Sequence, residues 1–173
     1  MAVLVGVHGY GAVSVAQVIE AAGVSRKTYY EHFTDKLECF LESYESTTSR
    51  LIDVLRRPDD EAPSSRTEHQ LRKYLAALAA NPLVARAFIV EVMGAGEQAL
   101  LVRERVNRRF ADLVFAHVSP DAQVRKAFIG GVNDVVTGEL LAGRKRFGAL
   151  LPALLRFVEG ATGAGRRSVG LER

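Results

Sequence analysis

Ser14-Val-Ala-Gln-Val-Ile-Glu-Ala-Ala-Gly-Val-Ser-Arg-Lys-Thr-Tyr-Tyr-Glu-His-Phe-Thr-Asp-Lys-Leu-Glu38 is the stretch whose reading decides the fold. Ser14 is suited to open a helix, because its hydroxyl can accept from the free amides of a first turn. Gln17, three residues on, completes a capping box, and Val13 and Val18 occupy the two hydrophobic-staple positions. Gly23 stops this helix, as the residue that enters the left-handed region without a Cβ penalty. Ser25 then caps a second short helix, Arg26–Phe33, and Asp35, with Glu38 in the first turn behind it, opens a third. Val18, Ile19, Ala22, Val24, Tyr29 and Phe33 fall where the first two helices would pack together. Two short helices joined by a tight glycine turn form the unit that lays its second helix in the major groove of DNA.

The same 25 residues resemble the head of the TetR family of transcriptional regulators, most tellingly in Ala22-Gly23-Val24-Ser25, in Tyr30-x-His32-Phe33 and in Asp35-Lys36. The resemblance implies a site. Ser14, Tyr30 and Lys36 match positions that contact phosphate, Arg26, Lys27 and Thr28 match positions that face base edges, and His32 lies close to the DNA backbone. The chemistry agrees: Arg and Lys donate to guanine, Thr donates, accepts or touches a thymine methyl, and helix N-termini favour phosphate. A plainer reading stands beside each, with Arg26 and Lys27 as solvated charges, Tyr29 as core and His32 as a packing or capping residue. This sequence departs from the family in two places. Only Ala2 to about His8 precede the breaker His8-Gly9-Tyr10-Gly11, so a first helix of roughly two turns is expected here, where the family usually has a full helix behind a basic arm. Ile19 also replaces the small residue usual at that helix crossing.

Outward from the head, the apolar residues recur at three and four, and strand signals are scarce. Leu37, Phe40, Leu41, Tyr44, Leu51 and Leu55 share one face of a helix that must end before Pro58. Residues 58–66 read as a loop. Helices are expected over about Thr67–Ala80, Leu83–Met93, Glu97–Val118, 121–142 and 147–161, with a Gly- and Arg-rich tail over 163–173. The expected architecture is all-α: a helix-turn-helix head over 1–36, and a larger helical effector-binding and dimerisation domain over 37–162.

The 173 residues are 48% hydrophobic and 25% charged, which suits a folded globular chain and excludes a disordered one. No apolar run nears the roughly 20 residues that span a bilayer, and a membrane role is not expected. The start lacks the features of a signal peptide, and the single cysteine, Cys39, reads as a buried small hydrophobe, so a reducing cytoplasm fits. The net charge is +3, yet residues 1–36 hold three bases and three acids. The assignment of DNA to the head therefore rests on pattern and not on bulk charge.

The resemblance implies a homodimer, with the last two long helices packed on their copies and an effector among the central helices. Phe128, Val132, Val135, Val136, Leu151, Leu154, Leu155 and Val158 are the expected interface, with Gly130, Gly131 and Gly138 permitting close helix approach. Phe88, Glu91, Phe110, His117 and Asn133 are the candidate pocket residues, polar groups in apolar company. The partners expected are thus a palindromic operator in double-stranded DNA, a small, largely hydrophobic effector, and a second copy of the chain. No metal-ligand spacing, nucleophile elbow, phosphate loop or dinucleotide fingerprint occurs, so neither an enzyme nor a cofactor or metal is expected. The alternative is a ligand-binding dimer derived from such a repressor that no longer grips DNA.

Overall fold

Side-chain caps set three helix starts in succession, as the sequence predicts. Residues 1–57, 66–116 and 121–162 are described by a computed structural model. Helix α1 spans Ala2–His8 and α2 spans Val15–Ala22. The Ser14 hydroxyl accepts from the Gln17 N–H at 3.3 Å, while the Ser14 N–H donates to Gln17 Oε1 at 2.8 Å, which completes the capping box. Gly23 ends α2 at φ 66°, in the left-handed region. Helix α3, Arg26–His32, starts on Ser25, whose hydroxyl accepts from the Thr28 N–H at 3.0 Å. Helix α4, Lys36–Arg56, starts on Asp35, which accepts from the Glu38 N–H at 2.8 Å.

The body consists of α5 (Arg66–Ala80), α6 (Pro82–Ile89), α7 (Glu97–Val114), α8 (Ala122–Leu141) and α9 (Leu151–Thr162), and no strand occurs among the described residues. Three ends differ from expectation, two of them for a visible local reason. Helix α6 stops at Ile89 and tightens into a 3₁₀ turn over Glu91–Gly94, ahead of Gly96 at φ 95°. Residues Phe147–Leu150 form a 3₁₀ turn instead of the first turn of α9. An α-helix begun at Phe147 would put Pro152 in its second turn, with no N–H to donate and its ring against the Gly148 carbonyl. Starting at Leu151 places Pro152 in the first turn, where it is tolerated. Helix α7 ends at Val114. The expected tail over 163–173 lies outside the described residues.

Helix α4 is the spine. Phe40 and Ile52 are fully buried on it, and Tyr44 stacks on Phe88 of α6 with ring centres 4.8 Å apart. Cys39 is buried as expected, and burial pushes its thiol pKa up. Helix α7 packs between α4 and α8, held at its rim by Arg105–Glu45 (3.0 Å) and Lys126–Glu104 (3.2 Å). These exposed pairs contribute at most about 1 kcal/mol each, so the apolar contact beneath them holds the layers. Helix α1 lies chiefly on α6. Gly6 makes that possible: a Cβ there would overlap the Leu83 carbonyl oxygen. The first helix of the head thus packs against α6 of the body.

Candidate nucleic-acid interface and cavity

The exposed face of the head is built on α3. Arg26, Lys27, Tyr30 and His32 are all exposed, while Thr28 is half-buried and its hydroxyl is engaged with Ser25 Oγ at 2.9 Å. The Arg26 guanidinium lies 5.5 Å from the centre of the Tyr30 ring, one helical turn away. Lys27 is paired with Glu31 at 3.9 Å, but its side chain is 88% exposed, so the pair yields readily to a phosphate or a base. Tyr29 is core, as the plainer reading has it: it is buried and its hydroxyl donates to the Asp35 carbonyl at 3.0 Å. Burial raises its pKa and keeps that hydroxyl a donor. Of the expected α2–α3 contacts, Val18 is buried and Ile19 and Phe33 are half-buried, whereas Ala22 and Val24 are exposed. Ser14 is exposed, with its hydroxyl committed to Gln17.

Lys36 is held from within. Its ammonium donates to the Tyr10 and Val13 carbonyls, each at 2.9 Å, and lies 4.3 Å from the Tyr10 ring centre. Two of its three donors are therefore spent on the loop between α1 and α2 before any phosphate arrives. Tyr10 is gripped from the other side too. Its N–H donates to Glu91 Oε2 at 3.4 Å, and Glu91 pairs with Arg86 at 3.2 Å. This moves Glu91 out of the expected pocket. The expectation assumed one helix through Met93, which would put Glu91 on the face of Phe88. Because α6 ends at Ile89, the following 3₁₀ turn aims Glu91 at Gly9 and Tyr10 instead. The sequence reading missed Tyr10, which joins the start of α4 to the end of α6.

Between α4, α5, α6, α7 and α8 lies a cavity of about 280 Å³. Of the candidate pocket residues, Phe88, Phe110 and Asn133 line it. His117 lies outside the described residues. Tyr44, Thr48 and Leu51 of α4, Tyr74 of α5, and Arg103 and Asn107 of α7 complete much of the wall, and Ala2 of α1 reaches its edge. Asn133 Nδ2 donates to Asn107 Oδ1 at 3.2 Å, which joins α8 to α7 at the polar end. The sequence reading missed Arg103 and Asn107. The signal was present: on α7 they lie beside the buried row Ala99, Val102, Val106 and Phe110, an odd place for a charge.

The expected dimer residues divide. Phe128, Val132, Val136, Leu151, Leu154 and Val158 are buried within the protomer, Leu155 is half-buried, and only Val135 is exposed. A side chain consumed in its own core cannot also form a contact face. The exposed apolar surface of this region runs instead through Val135 and Leu141 on α8 and Phe157 on α9. Beside it, Gly131 and Gly138 have nothing within 4 Å of where a Cβ would stand.

No group of three or more metal-ligating side chains converges among the described residues, and no single described helix is long and apolar enough to cross a membrane. Residues 2–43 match the sequence profile described as "Bacterial regulatory proteins, tetR family". Among solved structures, the chain is similar to the fatty acid degradation regulator FadR from Bacillus halodurans, with a TM-score of 0.78 at 20% sequence identity, over 92% of this chain and 94% of that one. At that identity the likeness is one of fold. No curated protein matches the sequence.

Proposed function

We propose that this chain, whose residues 2–43 match the profile of the bacterial regulatory proteins of the tetR family, is a homodimeric repressor, released from a palindromic operator by a small, largely hydrophobic effector. One observation carries the reading. Helix α4 starts at the head, where Lys36 holds the α1–α2 loop, and two turns later supplies Tyr44 and then Thr48 and Leu51 to the cavity wall. At 1.5 Å per residue, the cavity begins about 12 Å along that helix. A ligand that pushes on this wall tilts the lever on which the recognition helix is mounted.

Arg26 and Lys27 are the base-reading donors and Tyr30 and Ser14 the phosphate contacts, with His32 beside the DNA backbone. Two α3 helices enter successive major grooves about 34–36 Å apart, a spacing set by the dimer. The dimer forms through the exposed face of α8 and α9 around Val135, Leu141 and Phe157. Effector and operator are then linked: a ligand that favours one spacing must alter DNA affinity by the same free energy that DNA alters ligand affinity.

The test is fluorescence anisotropy on DNA from upstream of the gene, across a salt series. Specific binding that falls with salt is expected, and Arg26→Ala or Lys27→Ala should each cost about 1–3 kcal/mol. Binding that is indifferent to both substitutions, or no preference over unrelated DNA, refutes the DNA-reading assignment.

A further inference from the structure

We propose that the cavity takes a small amphipathic carboxylic acid, its carboxylate on Arg103 and its hydrocarbon body against Phe88, Val106 and Phe110; this rests on reading the cavity as the effector site. Among the described residues, Arg103 is the only charged side chain on the wall. It is half-buried, and among the described residues it has neither a carboxylate within ion-pair distance nor a hydrogen-bond acceptor. Among its neighbours on α7, Arg105 meets Glu45 and Arg109 meets Ser49 on the outer surface, each at 3.0 Å, and Arg108 is exposed to solvent. A guanidinium turned to an apolar chamber without a counter-charge is costly, and a carboxylate meets it bidentately.

The groups around Arg103 suit the same ligand. Tyr44 and Tyr74 are buried, their hydroxyls have no hydrogen-bond partner among the described residues, and both feel the Arg103 charge. Burial outweighs that charge and keeps both hydroxyls protonated, so each can donate to a carboxylate oxygen. Asn107 spends its carbonyl oxygen on Asn133, which leaves its amide N–H groups for a ligand. One cation among neutral donors matches a single negative charge better than a dianionic phosphate. Size narrows the class further. A cavity of about 150 Å³ holds benzene, so the 280 Å³ here suits about ten to twelve heavy atoms, an acid of eight to ten carbons.

Titration calorimetry on the full chain with octanoate and with octanamide, its uncharged isostere, tests the assignment. Octanoate should bind about 10- to 100-fold more tightly than octanamide, the range of a charge-assisted contact. Arg103→Leu should abolish that preference and Arg103→Lys should keep part of it. Equal affinity for the two compounds in the unaltered protein, an octanoate affinity unchanged in Arg103→Leu, or no binding of either overturns the proposal. Operator binding is read separately by anisotropy. Octanoate binding in a chain that ignores DNA upholds the acid site and removes the regulator reading, whereas DNA binding without octanoate binding removes the acid site alone.

Discussion

Replacing Gly6 with alanine sets two forces of known sign against each other. In an open helix the change stabilises by about 1 kcal/mol, because glycine loses more backbone entropy on folding. Gly6 does not face open space. A Cβ there would overlap the Leu83 carbonyl oxygen and stand 2.7 Å from the Leu83 carbonyl carbon and 3.0 Å from its Cα. All three are backbone atoms in the first turn of α6, which is fastened by the Ala85 N–H to the Asn81 carbonyl at 2.9 Å. They cannot rotate away as a side chain could. Ordinary carbon contacts begin near 3.5 Å, so α1 must move off α6 by roughly 1 Å. That opens a gap beside Val5, now fully buried, and strains the Tyr10–Glu91 contact at the end of the same segment. A contact this close against backbone falls in the upper part of the overpacking range, about 2–3 kcal/mol, so the net destabilisation after the propensity gain is about 1–2 kcal/mol. For a chain of this length that lowers the melting temperature by about 3–6 °C. Thermal unfolding followed by far-ultraviolet circular dichroism at fixed protein concentration measures it. Gly11→Ala, where a Cβ meets nothing within 4 Å, is the control and should change little. A Gly6→Ala protein that melts at or above the unaltered temperature would refute the account of α1 seated on the α6 backbone.

Lys36→Met should lower the melting temperature and leave the salt dependence of DNA binding nearly unchanged, because two of its donors already hold the Tyr10 and Val13 carbonyls. A salt slope shallower by about 1 with unchanged stability would make Lys36 a phosphate contact instead. The Thr34 N–H and hydroxyl donate to Glu38 at 2.6 and 2.7 Å and hold its carboxyl below the ordinary value of 4.5. The stability this gives is full above 4.5 and is lost as pH falls through the lowered value, so Glu38→Gln should flatten the acid limb of a denaturation–pH series. A stability difference between the two proteins that does not vary with pH counts against it. Leu141→Asp, at a position 60% exposed, should yield a folded monomer in sedimentation, whereas Val132→Asp, at 2%, should unfold the protomer. A Leu141→Asp dimer would place the interface elsewhere.

The head was legible because capping is local chemistry. Ser14, Ser25 and Asp35 need only the amides two or three residues ahead of them, and each found them. What local chemistry does not set is phase and partner. Helical spacing from Phe88 predicts Glu91 in the cavity, and a change from α to 3₁₀ after Ile89 is enough to turn it toward Tyr10. Lys36 stands at the right place in the pattern, but the pattern is silent on the carbonyls, 26 and 23 positions earlier in the chain, that the fold brings to its ammonium.

Helix α8 shows the same limit in another form. Its buried row, Phe128, Val132, Val136 and Leu140, and its exposed residues Val135 and Leu141 are both apolar. Periodicity establishes that such a helix has two apolar faces, and only the packing of α7 and α9 decides which one the protomer uses. The converse rule would have found the cavity. An apolar face needs no explanation, but a charge set beside one does, since it must be paired, solvated or reserved. On α7, Arg105 and Arg109 are paired across the rim to α4, and Arg103 is turned to the chamber with no partner among the described residues. On the proposed reading, a cation kept in that position is the residue through which a charged ligand would move α4 against α7, and with α4 the recognition helix.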